Sequence, residues 1–305
     1  MTMWVIELLL IILLGMGVVA FITLLERKML GLSQLRLGPN KVTLVGVLQP
    51  VMDGVKLLLK ELHLMQYMVN LVMLISTVTL LFLFMIFWGI VLPWGTTGLM
   101  LNHYSALLFF SVLGAGTYAI MLVGWSSTSP FSKLGSLRGM LQSLSFEVAL
   151  VMVFFIPLVI FDSLAVKNDQ VLGAEVSPWA VIWLLICLME SNRAPFDLLE
   201  GESELISGFN IETSSFPFVF VFLSEYGMLA SLGMVTSVGL LGGMNMVALL
   251  ALMTLLFVRS CYPRVRYDVM MSLMWHSILP SSLIFFFVLM TNKLENSVKA
   301  FLASD

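Results

Sequence analysis

From Leu62 to Ser132 the chain carries no Lys, Arg, Asp or Glu. A soluble domain spreads roughly 25% charged residues over its surface, so 71 consecutive uncharged residues do not belong on one. The run is also too long for a single crossing, because about 20 residues span the hydrocarbon of a bilayer. It breaks at Pro93-Trp94-Gly95 and near Asn102, which predicts two membrane helices joined by a turn. The whole chain agrees: 60% of its 305 residues are hydrophobic and 11% are charged. This predicts an integral membrane protein with no separate soluble domain.

Further runs of suitable length mark the other crossings. They are Met3 to Leu25, Leu137 to Phe161, Trp179 to Met189, two within Thr213 to Val258 with a turn at Gly239 to Asn245, and Met274 to Asn292. None alternates as a barrel strand would, so the spans read as helices. The expectation is an all-α integral membrane protein of about eight transmembrane helices, a single polytopic unit over residues 1–305. The segment "VGVLQPVMDGVKLLLKELHL" (45–64) adds an amphipathic interfacial helix. It has Val51, Val55, Leu58, Leu59 and Leu62 on one face and Asp53, Lys56 and Lys60 on another.

Eight crossings put both termini on one side. The loops at about 26–66, 126–137, 190–213 and 259–273 then share the other, and with their flanks hold 12 of the 15 basic residues. Positive loops stay on the cytoplasmic side or its equivalent, the mitochondrial matrix. One of these loops departs from the pattern. "ESNRAPFDLLEGESELISGFNIE" (190–212) holds Glu190, Asp197, Glu200, Glu202, Glu204 and Glu212, six of the chain's 18 acids, with Arg193 as its only basic residue. Glu190 and Arg193 are spaced to pair on a helix. If the chain turns helical again after Pro195, Asp197, Glu200 and Glu204 share a face and would share protons at raised pKa values. Glu147 and Glu225 lie inside other spans, where a carboxylate is costly unless it meets a partner, water or a function. Together these acids read as a proton path, against the plainer alternative of a solvated acidic loop.

Other chemistry has no support. There is no Gly-rich phosphate loop. His63, His103 and His276 are scattered and make no metal set. Cys187 and Cys261 form no pair. The basic residues flank membrane spans, so nothing points to nucleic acid.

Four segments carry a family resemblance: "ERKMLGLSQLRLGPNKV" (26–42), "GSLRGMLQSLSFEVAL" (135–150), the acidic stretch 190–212 and "YPRVRYDVMMSLMW" (262–275). In this order they resemble the chain 1 family of NADH:ubiquinone oxidoreductase. That family supplies the membrane subunit of respiratory complex I at the junction with the hydrophilic arm. The resemblance implies a subunit of a proton-translocating respiratory-chain enzyme in the mitochondrial inner membrane, with the bacterial plasma membrane as alternative. It implies that the chain forms much of the ubiquinone access chamber, lined or braced by Arg27, Arg36 and Arg193 and bordered by Phe222 and Leu223. Glu147, Glu190, Asp197, Glu200, Glu202, Glu204, Glu212 and Glu225 would couple quinone reduction to proton translocation. Ubiquinone would be substrate, with nothing bound covalently and no catalytic residue or metal in this chain. FMN and iron–sulfur clusters would sit in partner subunits. The partners would be other membrane-arm and quinone-junction subunits together with membrane lipids. A membrane-bound hydrogenase-type subunit and a stand-alone ion transporter remain as alternatives. Leu37 stands where the family usually has a basic residue.

Overall fold

The computed structural model describes residues 2–62, 67–91, 104–160, 177–199, 201, 207–241 and 245–302. Among them there is no β-strand. The helices are α1 (Thr2–Ser33), α2 (Gln49–Leu58), α3 (Tyr67–Val91), α4 (Ser105–Trp125), α5 (Pro130–Ile160), α6 (Ser177–Glu190), α7 (Ser215–Leu241), α8 (Asn245–Cys261), α9 (Tyr267–Leu273) and α10 (Leu279–Leu302). A π-helical turn, Met274–Ile278, fuses the last two into one rod. It lies just before Pro280, which has no N–H for the helical ladder. Among the described residues, five helical segments are long and apolar enough to cross a membrane: Leu71–Ile90, Ala106–Trp125, Pro130–Ile160, Ser215–Ser237 and Tyr267–Glu295. Trp179–Glu190 and Ala248–Cys261 are apolar but shorter. The chain is therefore an all-helical membrane protein, with five of the expected eight crossings carried by length and composition alone. The expected breaks at 93–95 and 102 lie outside the described residues, as do Glu200, Glu202 and Glu204.

α5 organises the bundle. Its buried face changes character along its length. The first half presents small residues, Ser132, Gly135, Ser136, Gly139 and Ser143, and the second half presents Phe146, Leu150, Val153 and Phe154. Small residues let backbones approach. A Cβ on Gly135 would lie 3.0 Å from the Gly208 backbone, and one on Gly139 would lie 2.1 Å from the Leu199 side chain. The large residues build the apolar centre, where Phe109 stacks on Phe154 at 5.3 Å and Trp179 on Trp183 at 5.7 Å. At 31 residues, α5 is about 46 Å long, longer than the roughly 30 Å of hydrocarbon. Its small-residue half is thus free to hold loops.

Those loops meet at one end of the bundle. Glu212 accepts hydrogen bonds from Thr128 and Ser129 in the α4–α5 turn. Val265, after α8, donates to Pro195 O at 2.9 Å. Arg27 at the end of α1 pairs with Asp53 of α2 at 2.6 Å. Helix α2 packs on α1 and α7 but buries no residue. Its apolar side chains, Val51, Val55, Leu58 and Leu59, stay exposed, as an interfacial helix requires.

Residues 194–199 form tight turns directly after α6, and the rest of the segment that would carry Glu200 and Glu204 on a helical face with Asp197 lies outside the described residues. The backbone acceptors are taken by other elements, with Phe196 O bonded by Gln142 Nε2 at 3.1 Å and Pro195 O by Val265. Phe196, Leu198 and Leu199 are buried, so their side chains also hold the turn in place.

Candidate functional site

Two membrane carboxylates come from neighbouring helices. Glu190 is the last residue of α6 and Glu225 lies one-third of the way along α7. Both line one cavity of about 60 Å³, with Thr117 of α4, Ser143 of α5, Asn192 and Ser224 among the other polar walls. Leu80, Leu83, Leu113 and Phe209 supply apolar walls. A space of this size with several polar partners suits a few water molecules. Oε2 of Glu190 is buried and meets no hydrogen-bond partner among the described residues. A buried carboxylate oxygen in that position needs water as its partner or holds a proton.

Arg193 does not pair with Glu190 as their spacing predicts. The helix ends at Glu190, and Asn192 adopts φ 51°, so the helical three-residue proximity is lost. Arg193 instead reaches Glu225, with Nη2 at 3.3 Å from Oε2. Its guanidinium lies 4.3 Å from the centre of the Tyr226 ring and 6.0 Å from that of Phe222, close enough for cation–π attraction. With side chains 11% and 17% exposed, the pair is largely desolvated, so losing either partner removes a largely buried charge–charge contact.

Glu147 approaches α4 next to the cavity wall. A Cβ on Gly114 would lie 2.9 Å from its Oε1, while Leu113, Gly116 and Thr117 on the same helix line the cavity. Glycine at position 114 is what lets the carboxylate reach that backbone. Asp197 is half-buried in the turn after Pro195. Glu212 lies in the loop leading to α7 and is occupied by three donors, Thr128 N at 2.7 Å, Thr128 Oγ1 at 2.8 Å and Ser129 N at 2.9 Å.

The other residues that the resemblance sets around a quinone chamber do not line the carboxylate cavity. Arg27 and Arg36 are exposed at the end of α1 and just beyond it, and neither lines the carboxylate cavity. Arg36 Nε donates to Gln34 Oε1 at 2.8 Å. Phe222 and Leu223 are half-buried against a cluster of Val19, Ile22, Phe84 and Trp88. Phe222 touches Phe218, with ring centres 4.4 Å apart. Phe218 lines a second, larger cavity of about 450 Å³ between the end of α2 and the start of α7, with Leu57, Lys60, Glu61, Thr213, Ser214 and Ser215.

Comparison with known proteins bears on this arrangement. The profile of the family described as NADH dehydrogenase matches residues 6–290. The chain belongs to the NADH dehydrogenase family. Among its relatives, the NADH-ubiquinone oxidoreductase chain 1 of Artemia franciscana is 41% identical over 274 residues, covering 88% of this chain and 91% of the relative. That of Anopheles gambiae is 41% identical over 300 residues, covering 92% and 93%. The protein of the same name from Sarcophilus harrisii is 38% identical over 301 residues, covering 92% and 94%. In this NADH dehydrogenase family member, the described residues bring together no group of three or more His, Cys, Asp or Glu that could hold a metal ion.

Several residues at the site are not singled out by the sequence. Buried Glu26 and Tyr226 form a cluster with partly exposed Arg259: Tyr226 OH donates to Glu26 Oε2 at 2.6 Å, and Arg259 pairs with Glu26 Oε1. Arg264 lies over Gly201, which has φ 30° and leaves only 2.8 Å between a Cβ and the Arg264 Nη2. Gln142 holds the turn after α6. The faint signal for Glu26 is an acid where span one ends; that for Arg259 is lost among basic residues that set topology.

Proposed function

We propose that this chain is the membrane subunit of NADH:ubiquinone oxidoreductase that borders the ubiquinone chamber and passes the effect of quinone reduction to proton translocation. The names of its relatives support the enzyme. The observation that carries the coupling role is the cavity joining Glu190 of α6 to Glu225 of α7, with one Glu190 oxygen meeting no hydrogen-bond partner among the described residues. The chain would cross the mitochondrial inner membrane about eight times with the clustered loops in the matrix. Electrons would arrive through FMN and iron–sulfur clusters held by partner subunits, and the chain would assemble with other subunits of the membrane arm and quinone junction.

The opening between α2 and α7 suits the quinone side. Its volume of about 450 Å³ lies in the range of small-molecule sites. Its walls combine Phe218 and Leu57 with the charged Lys60 and Glu61 and with serine and threonine hydroxyls, so a quinone ring would meet two apolar side chains and its two carbonyls several donors. Arg27 braces the α1–α2 side, and Phe222 and Leu223 continue inward along α7. Reducing a quinone to quinol draws two protons and passes through anionic forms. A unit charge about 4 Å away is worth about 4 kcal/mol at an effective dielectric of about 20, enough to move a proton between carboxylates. Asp197, with Glu200, Glu202 and Glu204, would respond first. Glu190, Glu225 and Glu147 would carry the change into the bundle. Glu212, saturated by fixed donors, would anchor the loop.

The test is Glu190→Gln in the assembled membrane complex. The expected result is a loss of about a hundredfold in NADH oxidation by ubiquinone, the lower end of the range for removing a proton-transfer group. The complex should keep its size on a native gel and its NADH oxidation by an artificial acceptor at the flavin end. Normal quinone turnover with a normal proton-to-electron ratio would overturn the reading. A chain that runs alone, away from any NADH-oxidising band, would return it to the transporter alternative.

A further inference from the structure

Glu225 and Tyr226 are adjacent on α7 and therefore point about 100° apart. Glu225 faces the carboxylate cavity. Tyr226, 8% exposed, faces α1 and α8, where its hydroxyl donates to Glu26 Oε2 at 2.6 Å. Glu26 is 3% exposed and is also paired with Arg259 of α8. On its other side the Tyr226 ring carries the Arg193 guanidinium at 4.3 Å, and Arg193 holds Glu225 at 3.3 Å. One tyrosine thus touches two ion pairs, one at the α1–α8 side and one at the cavity. The neighbour of Glu26, Arg27, pairs with Asp53 of the interfacial helix α2, so the outer pair sits at the root of the α1–α2 unit.

A plain staple of α1 to α7 and α8 would need only the hydroxyl and Glu26. The use of the ring face as a seat for Arg193 has no part in such a staple. It makes the position of the cation on Glu225 depend on where the tyrosine is held. We propose that Tyr226 is a positioning residue that links the α1–α2 side to the Glu190–Glu225 cavity, fixing Arg193 on Glu225 through its ring while Glu26 fixes the tyrosine through its hydroxyl. This rests on the coupling role proposed above for the cavity. A shift of α1 and α2, or a change of charge beside them, moves Glu26, then Tyr226, then Arg193, and alters how firmly Glu225 is held as an anion.

The experiment is a double-mutant cycle of Tyr226→Phe and Glu26→Gln in the assembled complex, with Glu225→Gln measured alongside. The readouts are kcat and KM for a short-chain ubiquinone, protons moved per electron pair, and NADH oxidation by an artificial acceptor as the measure of intact complex. Tyr226→Phe keeps the ring and loses only the hydroxyl. We expect it to lower kcat about fivefold with KM changed less than about twofold, Glu26→Gln to do the same, and the double variant to lose no more than either, because residues in one network are non-additive. A displaced helix would raise KM instead. Losses that multiply, a KM effect without a kcat effect, or full turnover in Tyr226→Phe would overturn the link. Glu26→Gln leaves Arg259 without its partner; if that variant fails to assemble, Tyr226→Phe alone decides by the same kcat and KM criterion. Glu225→Gln speaks to the underlying reading. Full turnover there removes the coupling role and the link with it, whereas a slow Glu225→Gln with a multiplicative cycle removes only the tyrosine link.

Discussion

Glu190 and Glu212 bound the same acidic stretch and meet opposite surroundings. One oxygen of Glu190 faces no donor among the described residues. Both oxygens of Glu212 are occupied by Thr128 and Ser129, the residues just ahead of the first residue of α5, where backbone N–H groups lack helical partners. A carboxylate there also sits favourably at the positive end of a helix. We expect Glu212→Gln to retain most quinone turnover, because its remaining oxygen still accepts from one side of the turn. Glu212→Ala loses all three bonds, costs about 1–3 kcal/mol, and lowers the amount of assembled complex. The checks are band intensity on a native gel and turnover per assembled complex. A Glu212→Gln complex that assembles normally yet turns over as slowly as Glu190→Gln would assign Glu212 the same role as that proposed for Glu190. The acidic stretch itself is legible in sequence, since acids are rare here and six fall in 23 residues. The division of labour within it is not, because the donors that occupy Glu212 lie 83 and 84 residues upstream.

Helices are the most legible elements of such a chain, because the bilayer demands long apolar runs and internal hydrogen bonding. What pattern cannot foretell is how a flaw in one helix is repaired by another. Pro157 interrupts α5 and removes the N–H that would bond Val153 O four residues back. Trp179 of α6 supplies the missing donor, with its Nε1 2.7 Å from Val153 O. The same blindness hides the turns at 194–199, where Gln142 and Val265 take the carbonyls of Phe196 and Pro195. We expect Trp179→Phe to keep an aromatic ring against Trp183 while losing the indole N–H and part of the buried ring volume. That leaves a buried carbonyl unsatisfied and costs about 1–3 kcal/mol, while the carboxylate cavity, which Trp179 does not line, is left intact. Thermal inactivation of the assembled complex should come at lower temperature with turnover at low temperature unchanged. An unchanged inactivation temperature would mean that the carbonyl finds another donor.

At the scale of the molecule, the bundle is asymmetric between its ends and between its sides. The segment Tyr267–Glu295 is only 17% buried within the chain, against 56% for those of α5 and α7, so the last rod offers its surface to lipid or to partner subunits. The loops, by contrast, are gathered on the small-residue half of α5. Gln142 is the common tie. Its Nε2 lies 2.9 Å from Asn192 Oδ1, 3.1 Å from Phe196 O and 3.3 Å from Met189 O. An amide nitrogen has two hydrogens, so the longest of these contacts is shared. Through Phe196 and Pro195 the tie extends to Val265 and so to the loop after α8. If the loops are one cooperative unit, removing the amide should loosen them together. Gln142→Ala strands several buried acceptors, and each 1.4 kcal/mol lost raises amide exchange about tenfold. We expect hydrogen exchange in the assembled complex to rise about tenfold or more across residues 191–199 and 262–266 in the same variant, with the amides of residues 146–156 unchanged. Faster exchange in 191–199 alone would show that the two loops open separately, and a change signalled at Glu190 would then have no shared body through which to reach the α8 side.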